Sequence, residues 1–454
     1  MEKSRTVGSQ KLAALFDAGT FVETGAYVKR ENGDLTGVVC GYGAIGGKLV
    51  YAFAQDSDRK KGAFDALQAD KIAALYSMAI KNGAPIVGMF DSAGAVVCDG
   101  ASALSAYGRL LKVVSDASGV IPQIALISGV CAGMAATVAA MFDVVITIKD
   151  RSRMFVNAPF LVGKEIGSAE YAAEKGIASA VCEDEADAFG KIATLIDLLP
   201  ANNVEGVVAE EIVDDVNRTV ALEGLYGKPL VEALADAGRF LEIGEGYAEQ
   251  VLTGLARFGG VTCGIVASNK EQCGGTLTAD GAKKAAKMIS FCDGFSIPVV
   301  TLVDSVGIEV SAEAEGNALA AQLGKLAMAY ASADTAKITV VLGKAYGAAF
   351  SLLGSKALGA DLVYALPMAE ISVMDPAAAV AFLWNDRITE SISRASLEDE
   401  WKTTEASPEA AARDGSIDDV IPALELRQRI CSAVYMLMMK NGTTPSRKHC
   451  NLPL

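Results

Sequence analysis

Apolar positions along the chain recur in two rhythms that take turns. Lys11 to Phe16 repeats at helical spacing and is closed by Asp17-Ala18-Gly19-Thr20, after which Phe21-Val22-Glu23 predicts an extended segment. Lys71 to Lys81 is helical in period, Pro85 to Phe90 is a short apolar run, Ala101 to Val114 is helical again, and Ile124 to Ile127 is a second buried run. Strand, helix, strand, helix in this order means parallel strands joined by crossover helices, hence an α/β fold. Ligands of such sheets sit beyond the carboxyl ends of the strands. Asp91-Ser92-Ala93-Gly94 and the stretch from Gly129 to Met134 both fall there.

The rest of the chain is read around the second of these stretches. The uncharged run Ile124–Ile127 ends at Ser128-Gly129, which predicts a sharp turn, and a helix is expected to follow. At the join, Ala132-Gly133-Met134-Ala135 places a residue without a side chain where another molecule can approach the N–H groups of a helix start. Unpaired N–H groups held in place are the donors of an oxyanion hole, although a plain tight turn uses the same residues. A repeat shifts the balance toward the hole. LFDAGTFVETG at Leu15–Gly25 returns as LADAGRFLEIG at Leu234–Gly244. Ala84-Pro85-Ile86-Val87 with Asp91-Ser92-Ala93-Gly94 returns as Ile297-Pro298-Val299-Val300 with Asp304-Ser305-Val306-Gly307. Ala132-Gly133 returns as Tyr346-Gly347, and Asp143-Val144-Val145 as Asp361-Leu362-Val363. Four anchors in one order, at nearly one separation, predict two copies of one domain, residues 1–225 and 226–454, joined by an acidic helical stretch around Glu210 to Asp215.

Composition then narrows the chemistry. A net charge of -15 offers no basic excess to displace the counterions of nucleic acid, so no nucleic-acid partner is expected. The nine cysteines contain no C-x-x-C pair, which implies reduced thiols in the cytoplasm, without a zinc site or a disulfide framework. The single histidine, His449, argues against a Ser-His-Asp or Cys-His triad and against a His-ligated metal. No metal is expected. MEKSRTVGSQ is charged and lacks the apolar core of an export signal. Ile124 to Phe142 is long and uncharged, but Ser128, Gly129, Gly133 and its many alanines argue against a membrane span.

Some motif matches mislead. Gly41-Tyr42-Gly43-Ala44-Ile45-Gly46 fits the dinucleotide fingerprint, yet Lys48 to Ala54 alternates like a strand where that fingerprint needs a helix; a glycine-rich hairpin is predicted instead. Gly46-Gly47-Lys48 lacks the rest of a phosphate loop, so no use of ATP is expected. Met439-Lys440 lies on an apolar helical segment rather than in a hairpin-rich biotinyl domain, and this chain is not expected to carry biotin. Arg59-Lys60-Lys61 follows a strand end, where it can meet phosphates or stay a solvated charge run.

Several longer stretches carry a family likeness, above all ADTAKITVVLGKAYGAAF from Ala333 and YALPMAEISVMDP from Tyr364, with VYAFAQD at Val50–Asp56, Asp91 to Gly100 and Cys131-Ala132-Gly133. On these the chain resembles the carboxyltransferase (β) subunit of biotin-dependent acyl-CoA carboxylases and of the related decarboxylases. The resemblance implies two tandem crotonase-like domains, residues 1–225 as the acyl-CoA half-site and 226–454 as the biotin half-site. It implies biotin on a separate carrier and a coenzyme A thioester as substrate; the biotin supplies the base, which fits a chain with one tail histidine. The thioester oxygen is expected at the N–H groups of Gly133 and Met134, and the biotin ureido oxygen at those of Ala348 and Ala349, after Gly347. Asp91, Ser92, Ala93, Gly94, Ala132, Tyr346 and Ser351 are expected around the substrates, and Arg59, Lys60 and Lys61 at the coenzyme A phosphates. The implied partners are a biotin carboxyl carrier protein, a biotin carboxylase or a membrane decarboxylase subunit, and further copies of the chain in a dimer-based hexamer.

The chain also departs from the family. D-S-G-G-A-R-I-Q-E-G has become Asp91-Ser92-Ala93-Gly94-Ala95-Val96-Val97-Cys98-Asp99-Gly100, without the arginine, and Met134 replaces a second glycine. R-K-A-Y-G-G-A-Y-D has become Gly343 to Ser351, and P-G-F has become Val306-Gly307-Ile308. These changes leave the acyl chain and the direction open and keep a non-catalytic scaffold subunit in view. A CoA hydratase or hydrolase would need a carboxylate beside Gly133, where the region offers only Asp91 and Asp99.

Overall fold

The structure, a computed structural model, describes residues 6–29, 36–206, 209–440, 442 and 453. The chain divides into two compact units, Met1–Gly206 with Ile243–Tyr247, and Val207–Glu242 with Ala248–Leu454. The division falls before the 225/226 boundary read from the repeat, and 209–215 is irregular rather than helical. Local contacts account for both. Glu210 donates its N–H to the Gly260 carbonyl, and Asp214 lies 3.4 Å from the buried guanidinium of Arg427, which also pairs with Asp236 at 2.6 Å. The joining segment is thereby tied to the second unit.

The first unit contains strands β1 (Val22–Thr24), β2 (Val38–Ile45), β3 (Lys48–Gln55), β4 (Ile86–Ser92), β5 (Gln123–Ala132), β6 (Val144–Ile148), β7 (Arg153–Phe155) and β8 (Ala180–Cys182). Their order is β1-β2-β3-β4-β5-β6-β8, with β7 paired to the far end of β5. From β3 onward the strands are parallel, while β2 and β3 form the predicted hairpin around Gly46 and Gly47. Helices Ala66–Asn82 and Ala101–Ala117 are the crossovers. The first is capped by Asp65, whose side chain accepts the Gln68 N–H, and is closed by Gly83 in the left-handed region; these signals carry it beyond the 71–81 periodicity at both ends. Ile72, Tyr76, Phe90, Leu110 and Ile127 meet in one core against this sheet.

The second unit repeats the plan with β9 (Phe240–Glu242), β10 (Val251–Phe258), β11 (Val261–Ser268), β12 (Val299–Ser305), β13 (Lys337–Tyr346), β14 (Leu362–Ala365), β15 (Glu370–Ser372) and β16 (Asp419–Val420). The order is β16-β14-β13-β12-β11-β10-β9, with β15 paired to β13 as β7 is to β5.

One turn is displaced from its predicted place. β5 runs straight through Ser128-Gly129 to Ala132, because Val130 to Ala132 gain a second partner in β7. Gly129 is a glycine for another reason: a Cβ there would overlap the Asp91 carboxylate, which occupies that space. At Gly343 a Cβ would lie 2.6 Å from the Asp304 carboxylate. In both units this glycine marks the approach of a neighbouring side chain, and the chain turns only at Gly133 and Gly347.

Candidate active site

Each long strand, β5 and β13, ends in a glycine whose backbone only glycine adopts readily: φ 62°, ψ -127° at Gly133 and φ 58°, ψ -144° at Gly347. Helices Met134–Ala140 and Ala348–Leu352 start immediately after. The Gly133 N–H donates to the Phe155 carbonyl on β7 at 2.8 Å, and the Gly347 N–H to the Ser372 carbonyl on β15 at 2.8 Å. Ala136 N–H returns to Gly133 O at 3.1 Å and Phe350 N–H to Gly347 O at 3.2 Å. Two donors remain at each helix start without an acceptor among the described residues: Met134 and Ala135 in the first unit, Ala348 and Ala349 in the second. The second pair is the one expected from the sequence. In the first unit the Gly133 N–H, expected to be open, is committed to β7, and the Ala135 N–H is open instead. Glycine shapes both turns and leaves the open donors to the residues after it.

Around the first turn the residues singled out in the sequence come together. A Cβ on Gly94 (φ 106°) would lie 3.7 Å from the Ala132 carbonyl, so the loop after β4 runs close beside the end of β5. The Ser92 hydroxyl closes that loop, donating to Gly94 O at 3.4 Å and accepting the Gly94 N–H at 3.2 Å. Ala93 N–H donates to Lys61 O at 3.0 Å, and a Cβ on Gly62 would overlap Asp91 O. These contacts bring Arg59, half-buried, and Lys60 and Lys61, both exposed, to the same strand end. Lys60 and Lys61 have φ of 49° and 53°, a strained pair held by this packing.

Asp91 faces inward. Its carboxylate accepts the Val130 N–H at 3.2 Å and lies 3.8 Å from the Nζ of Lys11, which donates to Ser128 Oγ at 3.0 Å. Lys11 is buried; that burial lowers its pKa, and Asp91 pulls it back up. Asp91 thus braces the end of β5.

The corresponding places in the second unit carry other side chains. Asp304 accepts the Lys344 N–H at 2.9 Å, and its cation is Lys270, 3.6 Å away and 3.7 Å above the Tyr226 ring. Leu230 and Leu342 stand where the first unit has Lys11 and Ser128. A cavity of about 520 Å³ opens between them, Tyr226, Leu366 and the Lys270–Asp304 pair. The basic triplet has become the uncharged Gln272-Cys273-Gly274. Tyr346, nearly fully buried, donates its hydroxyl to Glu370; burial raises the phenol pKa and the Glu370 carboxylate raises it further. Ser351 is exposed on helix Ala348–Leu352. No motif points to Lys270 or Tyr226, and Glu370 falls inside the YALPMAEISVMDP stretch without being singled out there. Glu370 sits on a three-residue strand too short for periodicity; the repeat, which sets it in the place of Arg153, and the family stretch around it are the signals that could find it. His449 lies outside the described residues. Among the described residues no group of His, Cys, Asp and Glu side chains is placed to hold a metal, and no helix is long and apolar enough to cross a membrane.

A carboxyl transferase domain matches residues 1–452 of the chain. The chain is 35% identical over 481 residues to the methylmalonyl-CoA decarboxylase subunit alpha of Veillonella parvula, covering 100% of this chain and 94% of that one. It is 34% identical over 499 residues to the propionyl-CoA carboxylase beta chain of Saccharopolyspora erythraea, covering 100% and 91%. Among solved structures it superposes on transcarboxylase 12S, a hexamer described with methylmalonyl-coenzyme A bound, with a TM-score of 0.92 at 33% identity over 100% of this chain and 94% of that one. The duplicated turn therefore has relatives along the whole chain around it, and the chain belongs to the carboxyl transferase family, with the two-domain crotonase-like fold and the reaction class of the biotin-dependent acyl-CoA carboxyltransferases.

Proposed function

We propose that the chain moves a carboxyl group between biotin on a separate carrier protein and a short acyl-CoA of the acetyl or propionyl class, as the carboxyltransferase component of an acyl-CoA carboxylase or decarboxylase. The observation that carries this is the duplicated turn: two pairs of backbone donors, alike in geometry and different in surroundings. The Met134 and Ala135 N–H groups hold the thioester oxygen, where charge develops when the α-carbon loses or gains a carboxyl group. The Ala348 and Ala349 N–H groups suit the ureido oxygen of biotin. Bound biotin supplies the proton acceptor, and this chain supplies donors, orientation and exclusion of water.

The charge difference supports the order of the half-sites. Arg59, Lys60 and Lys61 lie beside the first turn and suit the phosphates of coenzyme A, whereas Gln272-Cys273-Gly274 in the second unit suits a neutral ring. Met134 narrows the approach to the first hole and favours a short acyl group. A homo-oligomer is supported by apolar side chains left in water after each short strand: Phe160 (84% exposed) and Leu161 (72%) after β7, and Phe382 (80%) after β15. The partner, a biotin carboxylase or a membrane decarboxylase subunit, sets the direction. The carboxylase version has relatives in propionyl-CoA carboxylase beta chains at 33–35% identity, and the decarboxylase version in two methylmalonyl-CoA decarboxylase alpha subunits at 35% and 36%. The place of work is the cytoplasm, at the inner face of the membrane in that version.

The test is carboxyl transfer without ATP. Purified protein, a biotinylated carrier domain and malonyl-CoA or methylmalonyl-CoA are mixed, and each thioester is followed by chromatography. Carrier-dependent conversion to acetyl-CoA or propionyl-CoA is expected; no consumption of either, with a fully biotinylated carrier, overturns the assignment.

A further inference from the structure

In the first unit the outward face of the β5–β7 pair carries a cation that none of the roles above uses. Arg153 is the Cα partner of Val130 across these parallel strands, two positions before Phe155, whose carbonyl fixes Gly133. The residues in the same register of the second unit are Lys344 and Glu370. There the side chain on the short strand reaches forward along the face, and the Glu370 carboxylate meets the hydroxyl of Tyr346, the residue just before the Gly347 turn. Arg153 holds the place of Glu370, and Ala132 the place of Tyr346. A longer side chain thus stands beside a position with nothing beyond Cβ to meet it.

Arg153 is exposed, its hydrogen bond is a 3.5 Å contact with the carbonyl of its neighbour Ser152, and among the described residues it has no ion pair. In the second unit this face is covered: Trp401, on helix Arg394–Thr404, donates its indole N–H to Ser372 Oγ at 3.1 Å. After β7 the chain forms the short exposed helix Pro159–Val162 and then returns along the free edge of β7, where Ser168 bridges Arg153 and Gly167 O accepts the Met154 N–H at 2.8 Å, before helix Ala169–Glu174; the Arg153 side chain stays exposed. The loop from Asp91 to Gly100, on the other side of the first turn, has no basic residue.

We propose that Arg153 holds the free carboxylate of a carboxyacyl-CoA thioester, so that the first unit prefers malonyl- or methylmalonyl-type thioesters to their uncarboxylated counterparts. This rests on the reading that the Met134–Ala135 donors take the thioester oxygen. In such a substrate the carboxylate is separated from the thioester carbonyl by a single carbon, so a group that anchors it must stand beside the turn on an open face. A guanidinium fits a carboxylate through two parallel N–H···O bonds, which a lysine or a backbone donor cannot reproduce. The second unit has a carboxylate at this place, tied to a phenol, and offers an anionic acyl group nothing.

Equilibrium binding to the full chain, measured by calorimetry without carrier, tests this directly. Methylmalonyl-CoA and propionyl-CoA are titrated into wild type, Arg153→Gln and Arg153→Lys. Wild type should bind the carboxylated thioester at least about tenfold more tightly, as a charge-assisted pair warrants. Arg153→Gln should bind both alike with propionyl-CoA affinity unchanged, and Arg153→Lys should keep part of the preference. Equal binding of the two thioesters by wild type overturns the inference. So does a preference retained in Arg153→Gln, or an equal weakening of both thioesters, which is the mark of a structural role. The readout needs no catalysis, so a protein that shows the preference and yet transfers no carboxyl group would contradict the proposed function and leave Arg153 in place.

Discussion

In the first unit the cation beside the strand-end aspartate comes from inside: Lys11, 7% exposed, crosses from its helix to Ser128 and Asp91. In the second unit it comes from the surface: Lys270, 38% exposed, lies on Tyr226 and reaches Asp304. The aspartates themselves are placed alike, each filling the space left by a glycine on the next strand and accepting the N–H of the residue after it. Backbone devices are the same in both units because they depend on glycine geometry and strand register, which have few substitutes. The groups around them have diverged. With Leu230 and Leu342 in place of Lys11 and Ser128, the second unit opens a cavity where the first has a filled ion pair.

The largest effects should come from the turns, where the two units are expected to behave alike. Alanine at Gly133 or Gly347 must adopt a backbone that costs it about 1–3 kcal/mol. Its Cβ meets nothing within 4 Å at Gly133, and Val373 O at 3.4 Å at Gly347, so the strain falls on the donors rather than on the core. Gly133→Ala and Gly347→Ala should each lower carboxyl transfer roughly 100-fold or more, with thermal unfolding nearly unchanged. A variant that keeps more than half the rate removes its turn from the site and ends the symmetry between the units.

Giving the first unit the uncharged loop of the second isolates the role of charge. Arg59→Gln, Lys60→Cys and Lys61→Gly together should raise KM for the acyl-CoA about tenfold at low salt and flatten its salt dependence. The rate at saturation and KM for the carrier should stay as they are. An equal rise in KM for the carrier would mean that the charge serves the whole surface rather than the thioester.

Lys11→Leu, which copies Leu230, makes a subtler change. The relieved desolvation of the ammonium only partly offsets the loss of its attraction to Asp91, a carboxylate 15% exposed that is left without its cation, so stability near neutral pH should fall by about 1–3 kcal/mol. The pH dependence should move clearly. Burial lowers the folded pKa of Lys11 below 10.5. Between that lowered value and 10.5 the unfolded lysine still carries its proton while the folded one has lost it, so raising the pH favours the fold. Urea unfolding of wild type should therefore gain stability toward pH 10.5 relative to Lys11→Leu, and parallel curves would show that Lys11 keeps its proton in the fold.

Tyr346→Phe should have the smallest effect. It removes the bond to Glu370, which has no counterpart at Ala132, and should raise KM for the biotinylated carrier about fivefold, in line with a hydrogen bond worth roughly 1 kcal/mol. KM for the acyl-CoA should not change, and a change there instead would assign the second turn to the thioester.

Much of what the two units share can be read from the sequence because a duplicated fold writes its backbone demands twice. The glycine before each helix, the Asp-Ser-x-Gly loops and the hairpin at Gly46-Gly47 follow from spacing alone. Spacing fails at Gly129, which reads as a turn and is a close approach to Asp91, since a missing side chain does not say which neighbour needs the room. It also puts the first donor pair one position early. The partner of the Gly133 N–H is the Phe155 carbonyl, which lies beyond a helix and another strand, on a strand too short to show any pattern.

Periodicity, residue type and matched order were enough to establish the α/β class and the tandem repeat, and the family likeness of longer stretches carried the reaction class. Each of these rests on local pattern or on residues without substitutes, so the linear chain carries it whole. Folding was needed to establish which N–H groups stay open and that Arg153 has no ion pair among the described residues, which carboxylates are internal braces and where the cavity opens. Those facts depend on strand register and on long side chains meeting residues far away in the chain, and nothing in the neighbouring sequence encodes such a meeting.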